Sequence, residues 1–290
     1  MQTIILENVD SFDLIHIFEC GQCFRWNKNE DNSYTGVVEQ YVLNVSKFMN
    51  DKIKIKCYTN SKITQKELFE FCSNYFDLGR DYRKIKNNLS AIDDNMKVSI
   101  KNGDGIRLLN QNLWETIISY IISANNNIPR IKGIIEKISE KYGNPIQTDE
   151  KQYYTFPSPM QLSKANVSDL RKLGLGFRDV RVYETTHIIL NNQIDLKQLS
   201  NKSTQEIRKI LQTLPGVGSK VADCILLFST LKRLDVFPVD VWVRRVMNEL
   251  YIHNANEEKV NKIEIEKIAY EKFGDLAGIA QQYLYYWKRG

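Results

Sequence analysis

An α+β fold is predicted for this chain, with an antiparallel sheet domain over residues 1–98 and a larger all-helical body over 99–290. Three observations carry that prediction. The stretches YTGVVEQYVLNVSKF and DKIKIKCYT, both near the N-terminus, alternate or concentrate β-branched and aromatic residues as strands do. Polar breaks at Asn27–Asn32 and at Asn50-Asp51 separate such runs. From Leu113 onward the apolar residues recur at helical spacing instead, punctuated by Gly143-Asn144-Pro145, Pro157-Ser158-Pro159 and Gly174-Leu175-Gly176.

Taken in order, residues 1–60 read mostly as strands, and 65–76 and 80–95 as helices. The polar tract Asn87–Asn102 reads as a loop crossing to the second unit. Helices then follow over 112–123, 128–142, 159–162, 166–173, 178–191, 203–213, 219–230, 241–251, 261–272 and 275–287. No internal repeat or low-complexity segment interrupts them, and 290 residues suffice for two or three compact units.

Charge and cysteine usage narrow the chemistry. With 40 Lys+Arg against 35 Asp+Glu the net charge is +5, which permits nucleic-acid binding without requiring it. Cys20, Cys23, Cys57, Cys72 and Cys224 form no disulfide framework; the single C-x2-C lacks the second pair that a zinc site needs, so no metal is expected there. His16, His187 and His253 fall outside H-E-x-x-H, and no G-x-S-x-G is present, which argues against zinc and serine-hydrolase chemistry. Without an apolar span of about twenty residues or a signal peptide, a cytosolic protein with no membrane partner is expected.

Residues 211–240, LQTLPGVGSKVADCILLFSTLKRLDVFPVD, hold the most specific pattern. Gly216 and Gly218 flank Val217, so the backbone turns sharply and can approach another molecule closely. A helix starts near Ser219, and its free N–H groups favour an anion. The order Gly218-Ser219-Lys220 is not a Walker loop, and Val221 replaces the third glycine of a dinucleotide fingerprint. On its own the turn fits a plain helix connection as well as a phosphate site. Lys220 and Cys224 share a helix face beside the apolar stripe Val221, Ile225 and Phe228. There the lysine either snorkels to water or is desolvated; desolvation and the helix dipole lower its pKa, whereas a nearby Asp240 raises it. Asp240 itself fits a helix cap, a catalytic carboxylate, or both.

Lys220, Asp240 and the Pro-Gly-Val-Gly turn together resemble the helix-hairpin-helix-Gly/Pro-Asp superfamily of DNA glycosylases. GQCFRW (21–26), SANNN (123–127), KLGLGFR (172–178) and AQQYLYY (280–286) are similar to the motifs of its 8-oxoguanine glycosylase/lyases. The resemblance runs from Phe18 to Tyr285. It implies a twisted antiparallel β-sheet domain beside an all-α glycosylase body in two subdomains. The hairpin would occupy about 203–230 and the catalytic aspartate loop 235–241. The iron–sulfur branches usually end in a four-cysteine cluster, whereas this chain closes with YLYYWKRG.

The resemblance also implies roles. Lys220 would attack C1′ of a flipped nucleoside, and Asp240 would stabilise the positive charge on the sugar. A Schiff base and β-elimination would follow. The carbonyl of Gly21 would accept N7–H of 8-oxoguanine, which guanine lacks. Cys224 and Tyr285 would sandwich the base, Gln281 would read its Watson–Crick edge, and Phe228 would help to shape the pocket. Many relatives carry phenylalanine where Tyr285 stands. Asn125 would fill the vacated stack, Phe177 would wedge into it, and Arg130 and Arg178 would read the orphaned cytosine. Gly216, Val217 and Gly218 would meet DNA phosphate, and the carbonyls of Gln212, Leu214 and Val217 could hold a cation. Trp242 stands where animal members have a backbone-contacting histidine. Phe24, Arg25 and Trp26 read as structural.

The function so implied is a monomeric, bifunctional DNA repair enzyme acting on double-stranded DNA, with no cofactor required. It would act in the cytosol, at the nucleoid of a bacterium or in the nucleus of a eukaryote. Two other classes fit parts of the pattern: a non-catalytic helix-hairpin-helix DNA-binding protein, and a monofunctional alkylpurine glycosylase that would lack the lysine.

Overall fold

The computed structural model describes residues 1–49 and 52–289. Strands β1 (Gln2–Leu6), β2 (Trp26–Lys28), β3 (Tyr34–Val38), β4 (Tyr41–Phe48) and β5 (Lys52–Tyr58) form one antiparallel sheet in the order β1-β5-β4-β3-β2. Alternation places Ile53, Ile55 and Cys57 on the buried face, and register aligns Ile4, Ile55 and Val45 across three strands. Helix α2 (Gln65–Tyr75) covers that face with Leu68, Cys72 and Tyr75, and starts at a Thr64–Glu67 capping box. The break at Asn50-Asp51 lies outside the described residues.

Two departures from the sequence reading occur in this half. A short helix, α1 (Leu14–Phe18), interrupts the expected run of strands; Asp13 caps it by accepting from the N–H groups of Ile15 and His16. More consequential is 87–102, which is not a loop. It forms the end of α3 (Tyr82–Ser90) and all of α4 (Asp94–Asn102). Ile85, Leu89, Met96 and Ile100 enter the core of the helical body, so the boundary expected at 98/99 falls inside a helix. The polar residues of this tract outnumber the apolar ones, but the few apolar ones lie at helical spacing.

Helices α5 (Leu113–Ser123) and α6 (Ile128–Tyr142) follow. A small hairpin, β6 (Pro145–Gln147) with β7 (Gln152–Tyr154), then breaks the expected all-helical run. Beyond it come α7 (Pro159–Leu162), α8 (Val167–Lys172), α9 (Asp179–Leu190), α10 (Thr204–Leu211), α11 (Ser219–Phe228), α12 (Val241–Met247), α13 (Lys262–Phe273) and α14 (Ala277–Arg289). A π-helical turn, Asn248–Ile252, continues the run that was expected to be helical to 251. α5 and α11 are apolar nearly all round and pack on each other at the centre. On α11 the fully buried Asp223 joins Arg208 at 2.6 Å and Lys262 at 3.2 Å, tying three helices together.

GQCFRW sews the two halves together. Cys23 and Trp26 belong to the sheet core, whereas Phe24 belongs to the helical one. Trp26 stacks on Phe18 at 4.1 Å, donates to Tyr75 Oη at 2.8 Å and lies over Gly36, where any Cβ would strike its ring. Arg25 reaches Glu136 at 3.2 Å and the Tyr154 carbonyl at 2.6 Å. All three are structural, as read.

Lys232 crosses the same seam. Its Nζ donates to the carbonyls of Leu108 and Leu109, both at 2.8 Å, and burial pushes the amine down to about 7. Above that pH the unfolded chain, with an ordinary lysine, holds one more proton than the folded chain. Stability is therefore expected to rise from about pH 7 to about pH 10, by up to ~1.4 kcal/mol per pH unit. Urea titrations of wild type and Lys232→Met across that window check this: only wild type should show the rise.

Candidate active site

The site grows from the hairpin between α10 and α11. Gly216 sits at φ +85°, and a side chain there would run into Arg181. Gly218, rather than Ser219, is the N-cap of α11, and no side chain caps it. The first-turn N–H groups are thus left for an anion, as the phosphate reading requires. Val217 needs correction as a DNA contact: its side chain is core, and its N–H is spent on the Leu214 carbonyl at 3.0 Å. That same oxygen is one of the three carbonyls expected to hold a cation.

In the first turn of α11, Lys220 faces a cavity that it shares with Asp240. Asp240 caps α12, its Oδ1 accepting the Val243 N–H at 2.8 Å. Cap and cavity wall coincide, so the bond that starts the helix also fixes the carboxylate. Cys224, whose thiol is pushed up to about 11 by burial, stands beside the amine. Cys224 first, with Asp240 and Tyr285 adding, holds the Lys220 ammonium above the usual lysine range against the pull of burial. Of the opposed effects that the sequence left open, the neighbours outweigh burial. Lys220 rests as a cation, 5.7 Å above the centre of the Tyr120 ring.

Gly21, Cys224, Phe228, Gln281 and Tyr285, the five expected pocket residues, line this one cavity although they come from three parts of the chain. Its volume here is about 50 Å³, room for one or two waters, so a base can enter only if the walls part. The oxygen of the Gln281 carboxamide is held by Gln282 Nε2 at 3.0 Å, which leaves its NH2 for a guest. Tyr285 is half-buried, and its Oη accepts from Arg289 at 3.1 Å. Larger depressions of about 560 and 540 Å³ lie along the sheet domain, away from the lysine and aspartate.

The sequence reading missed Cys20, Tyr120, Pro238 and Gln282, which also line the cavity. Tyr120 stacks on Phe228 at 5.8 Å, and its hydroxyl lies 3.5 Å from the Gly21 carbonyl and 3.3 Å from that of Gln22. A polar-tipped aromatic in the isoleucine run of α5 was the available signal.

Gly21 has φ +85°, and an added Cβ would lie 3.3 Å from Arg289 Nη1 and 3.5 Å from Tyr285 Cε1. Gly21→Ala combines roughly 1–2 kcal/mol of left-handed strain with crowding of the stacking face. We expect it to lose at least about tenfold in excision of a damaged base while still cleaving a preformed abasic site. Single-turnover assays on the two substrates check this.

Across the face beside the hairpin, Asn125 is exposed at φ +52°, and Phe177 is 54% exposed. Arg130 is exposed and donates to the Gly174 carbonyl at 3.2 Å. Arg178 departs from expectation. It is 2% exposed and donates to the carbonyls of Ala124 (2.9 and 2.6 Å), Asn125 (2.7 Å) and Leu175 (3.2 Å). Its donors hold the Asn125 loop rather than facing outward, because the Ala124 and Asn125 carbonyls at that tight turn need partners. Arg181, not singled out from the sequence, lays its guanidinium 5.0 Å from the Phe177 ring centre and its aliphatic stem against Gly216. Burial, with Arg130 and Arg181 nearby, lowers the Arg178 pKa, the mark of a dense positive cluster. Trp242, next to the catalytic loop, is 48% exposed beneath the guanidinium of Arg245.

A sheet domain joined to a helical body, an uncapped hairpin helix carrying a lysine and an aspartate capping the next helix together define a helix-hairpin-helix glycosylase. Comparison with known proteins agrees. The family model for the 8-oxoguanine DNA glycosylase N-terminal domain matches residues 4–117, and that for the HhH-GPD superfamily of base excision DNA repair proteins matches 118–271. The probable N-glycosylase/DNA lyase of Methanothermobacter thermautotrophicus is 31% identical over 80% of this chain and 78% of its own. The structure of MBOgg1 with a low-affinity DNA ligand superposes with a TM-score of 0.92 at 43% identity, covering 100% of this chain and 96% of that one. The 8-oxoguanine glycosylase/lyase of Clostridium acetobutylicum, bound to double-stranded DNA with cytosine opposite 8-oxoguanine, gives 0.91 at 40%, covering 99% and 95%. The chain belongs to the 8-oxoguanine DNA glycosylase family.

Proposed function

We propose that this protein is a bifunctional DNA repair glycosylase/lyase that excises 8-oxoguanine opposite cytosine from double-stranded DNA and then cuts the strand. The observation that carries the reading is one cavity walled by Lys220, Asp240, Gly21, Gln281 and Tyr285 together. Lys220 must first lose its proton. The neutral amine then bonds to C1′ as the C1′–N9 bond breaks, and the base leaves with a proton. The Asp240 carboxylate faces the positive charge that builds on the sugar. Ring opening yields an iminium; loss of a C2′ proton then expels the 3′ phosphate.

Recognition divides between the two domains. The carbonyl of Gly21 accepts N7–H of the lesion and repels the bare N7 of guanine, a difference that burial makes costly to ignore. Tyr285 and Cys224 take the two faces of the base, and Gln281 its edge. On the opposite strand the exposed Arg130, only one of whose donors is held by the Gly174 carbonyl, meets cytosine, Arg178 holds the Asn125 loop that fills the gap, and Phe177 wedges beside it. Hairpin N–H groups and Arg181 take phosphate. No helix of the described residues is long and apolar enough to cross a membrane. The proposed site of action is wherever the genome lies, nucleoid or nucleus.

Borohydride trapping on duplexes with 8-oxoguanine opposite each of the four bases tests the reading. A covalent band strongest opposite cytosine is expected; lesion binding without a band would leave a monofunctional enzyme or a binding module.

A further inference from the structure

Gln111, just ahead of α5, joins two backbone segments that the proposed chemistry needs in register. Its Nε2 donates to the carbonyl of Gln22 at 2.7 Å and to the carbonyl of Phe228 at 3.1 Å. The first of these lies one peptide beyond Gly21; the second is the last residue of α11, the helix that carries Lys220 and Cys224. The Gln111 backbone N–H also reaches the Phe228 carbonyl, at 3.3 Å, and its own carbonyl accepts from Thr230 at 2.8 Å. An amide has two N–H hydrogens, and here each serves a different wall of the pocket.

The Gly21 side of this clamp is anchored as firmly. Gln22 is wholly buried; its Nε2 donates to the carbonyls of Ile17 at 2.9 Å and Arg107 at 2.7 Å, and its Oε1 accepts the Leu109 N–H at 2.8 Å. Its side chain is thus tied to 107–109 while its main-chain carbonyl is held by Gln111. The Gly21 carbonyl itself has only the long 3.5 Å contact from Tyr120.

We infer that Gln111 is a positioning residue that sets the lesion-reading carbonyl of Gly21 at its working distance from the lysine-bearing helix. The inference rests on the proposed reading of Gly21 and Lys220. It separates two activities of one site. Excision needs the base seated on Gly21 while C1′ meets Lys220, whereas cleavage of a preformed abasic site needs Lys220 alone.

Gln111→Met, of similar length and without donors, and Gln111→Glu, which turns an acceptor toward two acceptors, test it beside wild type. Excision of 8-oxoguanine opposite cytosine should fall roughly 10- to 100-fold, as small misplacements of reacting groups do, and Glu should lose at least as much as Met. Cleavage of a preformed abasic site should stay at the wild-type rate, which also reports that the variants are folded. Equal losses of both activities would make Gln111 a general structural strut, and unchanged excision would mean that Gly21 is placed without it; either overturns the inference. Wild type that cleaves abasic sites yet leaves 8-oxoguanine in place would instead sink the functional reading, and the inference with it.

Discussion

Lys220→Gln is expected to abolish the borohydride-trapped adduct and to lower base excision by on the order of 10⁴-fold or more, the scale of losing a nucleophile. Lesion binding should survive. Gly21, Gln281 and Tyr285 sit on other elements, and glutamine can occupy the same half-buried place on α11 while Asp240 keeps its bond from the Val243 N–H. Trapping and a gel-shift titration on the same duplex check both halves. If binding disappears together with the adduct, Lys220 builds the site rather than reacting in it.

The second large effect is at Asp240. Asparagine is as good an N-cap as aspartate, so Asp240→Asn should keep α12 and the Val243 N–H bond, and any loss reports the missing charge. Excision should fall about 10²- to 10³-fold, the cost of removing one preorganised electrostatic contact from a charged transition state. The pH profile gives a second reading. Lys220 is held above the usual lysine range by Cys224, Asp240 and Tyr285 and must be neutral to attack, so wild-type excision should rise with pH above neutrality. With the Asp240 charge gone, its attraction for the ammonium goes too, and the rising limb should move to lower pH. A limb that stays in place would mean that Asp240 does not touch the lysine's proton.

Much of this site is legible in the chain because its pieces are local. Pro-Gly-Val-Gly, the lysine in the first turn of a helix and the aspartate before Val241-Trp242-Val243 each depend on a few neighbouring φ and ψ values, and each appears where the sequence placed it. Gln281 and Tyr285, four apart on α14, share a face for the same reason. The short-range reading failed where a local preference had to yield to packing. The tract 87–102 looked like a loop by composition, yet Leu89, Met96 and Ile100 at helical spacing were enough once α14 lay against α4.

By itself, then, the sequence determined the α+β plan, the family, the lysine–aspartate pair and five residues that line the cavity beside it, because motifs and hydrophobic period are properties of the chain. Only the tertiary structure decided what those groups feel. Lys220 rests protonated because Cys224, one turn further along the same helix, and Asp240, twenty residues away at the start of α12, both close in on it. Arg178 turns inward because the carbonyls of a distant loop need its donors. Gly21 is aimed by Gln111, ninety positions away, because one amide can bond two backbone segments that meet only after folding. Charge, burial and hydrogen-bond supply are set by neighbours in space, and no local pattern in the chain encodes them.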